Sequence, residues 1–112
     1  MAKFDAPEIT VEELKQKLDR KEDIFLLDVR EQFEYDIARL ENARLIPLGQ
    51  LPDRVSELEP FKDREIAVYC KAGGRSGRAV QLLRGRGFLG AVNVAGGIDA
   101  WSERIDPTVA SY

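Results

Sequence analysis

An α/β domain, a parallel sheet of four to five strands with helices on both faces, is the fold class this sequence predicts. Three observations carry the prediction. First, Ile24-Phe25-Leu26-Leu27, Ile66-Ala67-Val68-Tyr69 and Ala91-Val92-Asn93-Val94 are near-continuous apolar runs without period-two alternation, which is how strands covered on both faces read. Second, the segments between them repeat apolar residues at helical spacing, so strands and helices alternate along the chain. Third, 112 residues with 44% hydrophobic and 8% aromatic side chains suit one domain with one core, since a chain of this size buries roughly two-thirds of the surface it exposes when unfolded.

Thr10-Val11-Glu12-Glu13 has the form of a capping box, and Val11, Leu14 and Leu18 follow at helical spacing, which predicts a first helix over 11–20. A buried strand follows from Ile24 to Val29 and ends at Arg30-Glu31. A short helix from Glu31 to Ile37 would carry Phe33 and Ile37 on one side. Arg44-Leu45-Ile46 reads as a short strand stopped by Pro47, and Leu51, Val55 and Leu58 mark another helix. The strand Ile66–Tyr69 ends at Cys70. Gly73-Gly74 then breaks the chain before a helix with Ala79, Val80, Leu82 and Leu83, which Gly85 and Gly87 end. The last strand, Ala91–Val94, leads through Gly96-Gly97 into a short helix holding Ile98 and Trp101, with Trp101 expected in the core. The charged stretch Glu57 to Glu65 around Pro60 and Phe61 reads as a solvated face. No linker, repeat or low-complexity segment is evident, and only 106–112 reads as a tail.

Two counts remove whole reaction classes: the chain has no histidine and one cysteine. Without histidine there is no Ser-His-Asp or Cys-His pair, no His-Glu-x-x-His zinc site and no proximal haem ligand. One thiol makes no intramolecular disulfide, no Cys-x-x-Cys couple and no cysteine zinc site, which points to the reduced cytoplasm. The segment from Met1 to Pro7 lacks the apolar run of a signal peptide, and no stretch approaches the roughly 18 apolar residues of a membrane span. The expectation is a soluble, untargeted protein with no membrane partner. Seventeen basic against 20 acidic residues, a net charge of −3, argue against nucleic acid as a partner.

The chemistry concentrates where a parallel sheet binds ligands, beyond the carboxyl end of a strand. Cys70 sits at such an end and is followed by Lys71-Ala72-Gly73-Gly74-Arg75-Ser76 and a helix. Glycines let the loop curl until its N–H groups converge, and the helix beyond adds positive potential, so an anion at the loop centre is stabilised and a thiol there is acidified. Lys71, Arg75 and Arg78 would add cationic charge at the mouth. A lone cysteine ending an apolar strand is ordinarily a small buried hydrophobe, but that reading gives no reason for a lysine, two glycines and an arginine directly after it. Gly74-Arg75-Ser76-Gly77 also fits the Gly-x-x-Gly loop of an RNA-binding KH module, against which the net charge counts. Neither a Walker A loop nor a dinucleotide fingerprint fits.

The run Cys70 to Ser76 resembles the active-site loop of the rhodanese family, the sulfurtransferases that carry sulfur as a cysteine persulfide. Leu26-Leu27-Asp28-Val29-Arg30-Glu31 with Glu34-Tyr35 is similar to the family's Asp-x-Arg segment. Ala43 to Pro47 is similar to its Ala-x-x-Ile-Pro, and Gly96-Gly97-Ile98-Asp99-Ala100-Trp101 to its Gly-Gly-x-x-x-Trp. The resemblance covers about 8–104 of a single rhodanese-like domain and leaves 105–112 as a C-terminal tail. It implies that Cys70 is the nucleophile and that Lys71, Ala72, Gly73, Gly74, Arg75 and Ser76 form an anion-binding loop. It further implies a two-step cycle without cofactor, metal or general base. The Cys70 thiolate takes sulfane sulfur from thiosulfate or a protein persulfide, then yields it to cyanide, a thiol or a sulfur-carrier protein.

Phosphatases and arsenate reductases of the same fold place five residues between cysteine and arginine. Here there are four, and the tighter ring suits one sulfur better than a tetrahedral oxyanion. A sulfur-relay or non-catalytic binding module for a ubiquitin-like sulfur carrier is the other alternative, although such modules often lack the cysteine. The sequence departs from the family's Gly-His-Ile-Pro-Gly-Ala with Ala38-Arg39-Leu40-Glu41-Asn42-Ala43, in which Asn42 can take the left-handed conformation in place of glycine and Arg39 stands where histidine is usual. Asp28 and Arg30 either support the active loop or form an ion pair closing strand to helix. The run from Trp101 to Tyr112 is similar to the rhodanese domain fused behind adenylyltransferases that load ubiquitin-like sulfur carriers, which suggests a molybdopterin or tRNA-thiolation relay.

Overall fold

The computed structural model describes residues 6–112; of the N-terminal segment read for a signal, Met1–Asp5 lie outside them. Five parallel strands form one sheet in the order β1-β5-β4-β2-β3, where β1 is Glu8–Ile9, β2 Ile24–Asp28, β3 Arg44–Leu45, β4 Glu65–Tyr69 and β5 Ala91–Val94. The interior strands β2, β4 and β5 are the three apolar runs. The edges are two-residue strands, of which β1 is too short to show any periodicity and escapes prediction; only its pairing with β5 defines it.

Alternate residues of the strands divide the core between two faces. Leu27, Ile66 and Val68 point to a cluster with Ala79, Val80 and Leu83 of helix α4 (Gly74–Gly85), while Leu26, Ala67 and Tyr69 join Val11 and Leu14 of α1 (Val11–Asp19) and Ile98 and Trp101 of α5 (Gly97–Arg104). This two-sided burial is why the strands do not alternate in polarity. The α1 capping box forms as the sequence predicts: the Thr10 hydroxyl accepts from the Glu13 N–H at 3.0 Å, and the Glu13 carboxylate accepts from the Thr10 N–H at 2.7 Å. Arg20, expected inside α1, is its C-terminal cap.

Three expectations change on folding. The helix expected through Leu51, Val55 and Leu58 is a short α3 (Leu51–Arg54) between two 3₁₀ segments, Leu48–Gln50 and Val55–Phe61. Pro60, whose ring and missing N–H oppose a continuous helix, lies inside the second. Helix α2 (Gln32–Ile37) turns Phe33 and Ile37 to solvent, 64% and 48% exposed, and buries Glu34 instead. The segment 106–112 is docked rather than loose: Val109 and Tyr112 pack against the α1/α5 face, and the Ser102 hydroxyl donates to the Val109 carbonyl at 2.7 Å.

Candidate active site

Cys70 leaves the carboxyl end of β4 and is 1% exposed at the floor of the loop that leads into α4. Gly73, at φ 115°, makes the left-handed turn that a side chain would oppose, and it precedes the first residue of the helix. The turn aims three donors at one sulfur: Sγ lies 3.1 Å from the Gly73 N, 3.4 Å from the Ser76 N and 3.3 Å from the Ser76 hydroxyl. Burial pushes the Cys70 thiol up, but the Ser76 hydroxyl and the N–H groups of Ser76, Gly73 and Ala72 outweigh it and leave the thiol below its ordinary value.

The back of the loop is anchored by α5. The N–H groups of Ile98 and Asp99 donate to the carbonyls of Cys70 and Lys71 at 2.9 and 3.0 Å, which turns those carbonyls away from the sulfur. This close approach requires Gly97, at φ 59°, because a Cβ there would overlap both carbonyl oxygens. The Gly-Gly-x-x-x-Trp motif thus combines two functions: Gly97 lets the loop settle on α5, and Trp101, buried as expected, fixes α5 to the sheet.

The two loop cations are each paired. The Arg75 guanidinium grips the Glu34 carboxylate through both oxygens, at 2.7 and 3.0 Å, and Lys71 Nζ sits 3.0 Å from both oxygens of Asp99. Arg78 is exposed on α4, beside the hollow lined by Ala6, Glu8 and Asn93. Dipoles of the loop, rather than free cations, therefore dominate the field at the sulfur. Arg75 holds Glu34 down to about 2 against its burial, and the Glu31 N–H and the Tyr112 hydroxyl assist.

Asp28 and Arg30, whose role the sequence leaves open between loop support and closing an ion pair, form the ion pair and touch the loop only through α2. Their side chains are fully buried and 2.7 Å apart. Arg30 also donates to the Glu34 carbonyl at 3.4 Å, the Ala38 carbonyl at 2.6 Å and the Tyr112 hydroxyl at 2.8 Å, so the pair fastens the middle and the C-terminal cap of α2 to β2. Helix α2 in turn presents Glu34 to Arg75. Neither Asp28 nor Arg30 bonds Cys70 itself. Arg39 is remote from this network: its guanidinium stacks on the Tyr35 ring at 4.7 Å and donates to the Tyr35 carbonyl. Asn42 does take the left-handed conformation, at φ 67°.

Four residues of the site carry no assigned role in the sequence reading. Glu34 has a local signal, the third position of a helix with its carboxylate accepting from the Glu31 N–H at 2.9 Å. Asn93 is a polar residue within an apolar strand, 4% exposed. Glu8 and Tyr112 meet the site only through tertiary folding. The Tyr112 hydroxyl donates to Glu34 at 2.8 Å and accepts from Arg30, with its ring 4.9 Å from Lys71 Nζ. Among the described residues, no group of three or more acidic or cysteine side chains could hold a metal, and no helix is long and apolar enough to cross a membrane.

Comparison with known proteins agrees with this geometry. The Rhodanese-like domain family matches residues 10–104, and the chain belongs to that family. A "Sulfurtransferase" of Allochromatium vinosum is 37% identical over 103 residues, covering 92% of this chain and 94% of that protein. "Probable adenylyltransferase/sulfurtransferase MoeZ" of Mycobacterium tuberculosis is 36% identical and matches 93% of this chain, which spans only 26% of its length. The chain likewise spans 37% of the length of the "Rhodanese-like/PpiC domain-containing protein 12, chloroplastic" of Arabidopsis thaliana, at 40% identity over 94% of the chain. A solved "Rhodanese-like Domain Protein from Staphylococcus aureus" superposes with a TM-score of 0.80 at 33% identity, covering 95% of this chain and 98% of that one.

Proposed function

We propose that this chain is a sulfurtransferase that carries sulfane sulfur as a persulfide on Cys70. One observation supports this above others: a single buried thiol lies at the focus of the Gly73 and Ser76 N–H groups and the Ser76 hydroxyl. With thiosulfate as donor, the Cys70 thiolate attacks the outer sulfur, the S–S bond breaks, and sulfite leaves with the electron pair. The terminal sulfur of the persulfide carries the negative charge, and loop donors stabilise it as they stabilise the thiolate. A nucleophile such as cyanide or a thiol then attacks that sulfur and returns Cys70 as thiolate. Because Cys70 is the only cysteine in the sequence, no second thiol among these 112 residues can resolve the persulfide, and the acceptor lies beyond them.

A sulfur-carrier protein is the acceptor class we favour. Relatives include proteins described as joining adenylyltransferase with sulfurtransferase, and a "Putative sulfur carrier protein YrkF" of Bacillus subtilis at 37% identity over 100 residues. The lone thiol suits the reducing cytoplasm as the compartment.

Intact mass after incubation with thiosulfate tests the reading. A persistent gain of about 32 Da, one sulfur atom, is expected, discharged stoichiometrically by cyanide or a small thiol and absent from Cys70→Ala. An unchanged mass in excess donor at neutral pH would refute it. Turnover of a generic aryl phosphate that matched or exceeded thiosulfate sulfurtransfer in the same preparation would favour the phosphatase alternative instead.

A further inference from the structure

Asn93 is the polar residue that interrupts the apolar β5, and every hydrogen-bonding direction it uses is occupied by the site or its edge. Its amide nitrogen donates to the Gly73 carbonyl at 3.1 Å and to the Glu8 carboxylate at 3.2 Å, and its amide oxygen accepts from the Ser76 hydroxyl at 2.6 Å. The β1–β5 register sets Glu8 opposite Asn93, which fixes the outer partner. A buried amide costs stability unless its groups are bonded, so an apolar side chain would be the simpler filling for this strand. Gly73 and Ser76 supply the N–H groups at 3.1 and 3.4 Å from Sγ, and both residues are bonded by this one amide.

We propose that Asn93 is a positioning residue that joins the two halves of the sulfur cradle, tying the Gly73 carbonyl and the Ser76 side chain to the sheet so that the turn between them keeps its donors on Cys70. The inference rests on Cys70 as the sulfur-carrying thiol. Glycine at φ 115° has little of its own to resist rotation; its carbonyl accepts the first bond of α4 from the Gly77 N–H at 3.1 Å, and the Asn93 amide adds the contact that ties this end of the turn to the sheet. The Ser76 hydroxyl has one proton, and its oxygen lies within reach of both Asn93 and Sγ. When Cys70 is a thiol, the S–H can donate to Ser76, which donates to Asn93. When it is a thiolate, the hydroxyl proton turns to the sulfur. In the thiol state the amide, oriented by Gly73 and Glu8, accepts that proton and holds the Ser76 oxygen beside Sγ; in the thiolate state its hold on the loop runs through the Gly73 carbonyl.

The test is the pH dependence of Cys70 alkylation by iodoacetamide in wild type, Asn93→Ala, Ser76→Ala and the double variant, with thermal melting as the check on folding. Asn93→Ala should raise the alkylation midpoint by about one pH unit, the scale of one hydrogen bond to an ionised group. The double variant should move scarcely further than the larger single change, because Asn93 acts partly through Ser76. Should Asn93→Ala fail to fold, Asn93→Ser leaves less empty volume, cannot span Gly73 and Ser76, and should give the same upward shift. An unmoved midpoint in a folded Asn93 variant, or a Ser76→Ala shift of undiminished size in the Asn93→Ala background, overturns the inference. A wild-type protein that gains no sulfur from thiosulfate while these midpoints move as expected would remove the sulfur-carrying role and leave the positioning role standing.

Discussion

Replacing Glu34 by Gln probes how the active loop is held from behind. The carboxylate is buried, with a 6% exposed side chain, and is gripped by Arg75 through two hydrogen bonds, by the Glu31 N–H and by the Tyr112 hydroxyl. Folding lowers its pKa from the ordinary 4.5 to about 2, with the Arg75 hydrogen bond as the largest cause. A carboxyl depressed on folding adds stability that is fully present above its unfolded value and is lost as pH falls toward its folded value. From those two values the ionised group adds on the order of 3 kcal/mol at pH 7 and on the order of 1.5 kcal/mol at pH 3. Glutamine keeps the shape and loses the charge. Urea unfolding of wild type and Glu34→Gln should therefore differ by about 2 to 3 kcal/mol at pH 7, and by about half as much at pH 3. A difference that is the same at both pH values would show that the charge of Glu34 is not what holds Arg75, and would refute the reasoning.

Two further outcomes test the supports around the loop. Gly97→Ala forces a side chain into a left-handed position against the carbonyls of Cys70 and Lys71. It should lower unfolding free energy by about 2 kcal/mol or more and slow sulfur loading, read by urea titration and intact mass; wild-type values for both would contradict the close approach. Tyr112→Phe removes one hydroxyl bonded to both Arg30 and Glu34 and should cost about 1 to 2 kcal/mol in urea unfolding at pH 7. The loss should shrink in the Glu34→Gln background if the two groups act as one network.

The fold and the thiol were legible in the sequence for different reasons. Strands β2, β4 and β5 are buried on both faces, and that burial writes itself as uninterrupted apolar runs. Cys70 stands out because glycines and cations directly follow it. What the sequence hides is whatever depends on a partner far along the chain. The Arg75 pair joins residues 41 apart, Asn93 to Glu8 spans 85, and Arg30 to Tyr112 spans 82. Residues 106–112 read as a tail because Val109 and Tyr112 are too few to form a periodic pattern, although each finds a place on the α1/α5 face. The two residues of β1 fail for the same reason. Helix α2 misleads in the opposite direction: Phe33 and Ile37 share a side, as spacing predicts, yet that side faces solvent because Glu34 is drawn inward by Arg75 and the Glu31 N–H.

The pairing of both loop cations changes how the site handles charge. A thiolate stabilised by a free lysine or arginine would depend on a flexible, solvent-screened side chain. Here Lys71 and Arg75 are committed to Asp99 and Glu34, and the donors that face Sγ belong to the backbone and to one buried hydroxyl. Backbone dipoles fixed by α4, α5 and Asn93 need little reorganisation when the charge on sulfur appears or departs. In a persulfide cycle the anion sits alternately on Sγ and on the sulfur beyond it, and a rigid ring of neutral donors can serve both positions without releasing or recruiting a counter-ion. The carboxylates, whose charge opposes an anion, thus support the site: by holding Lys71 and Arg75 in place, they fix the loop whose N–H groups face the sulfur.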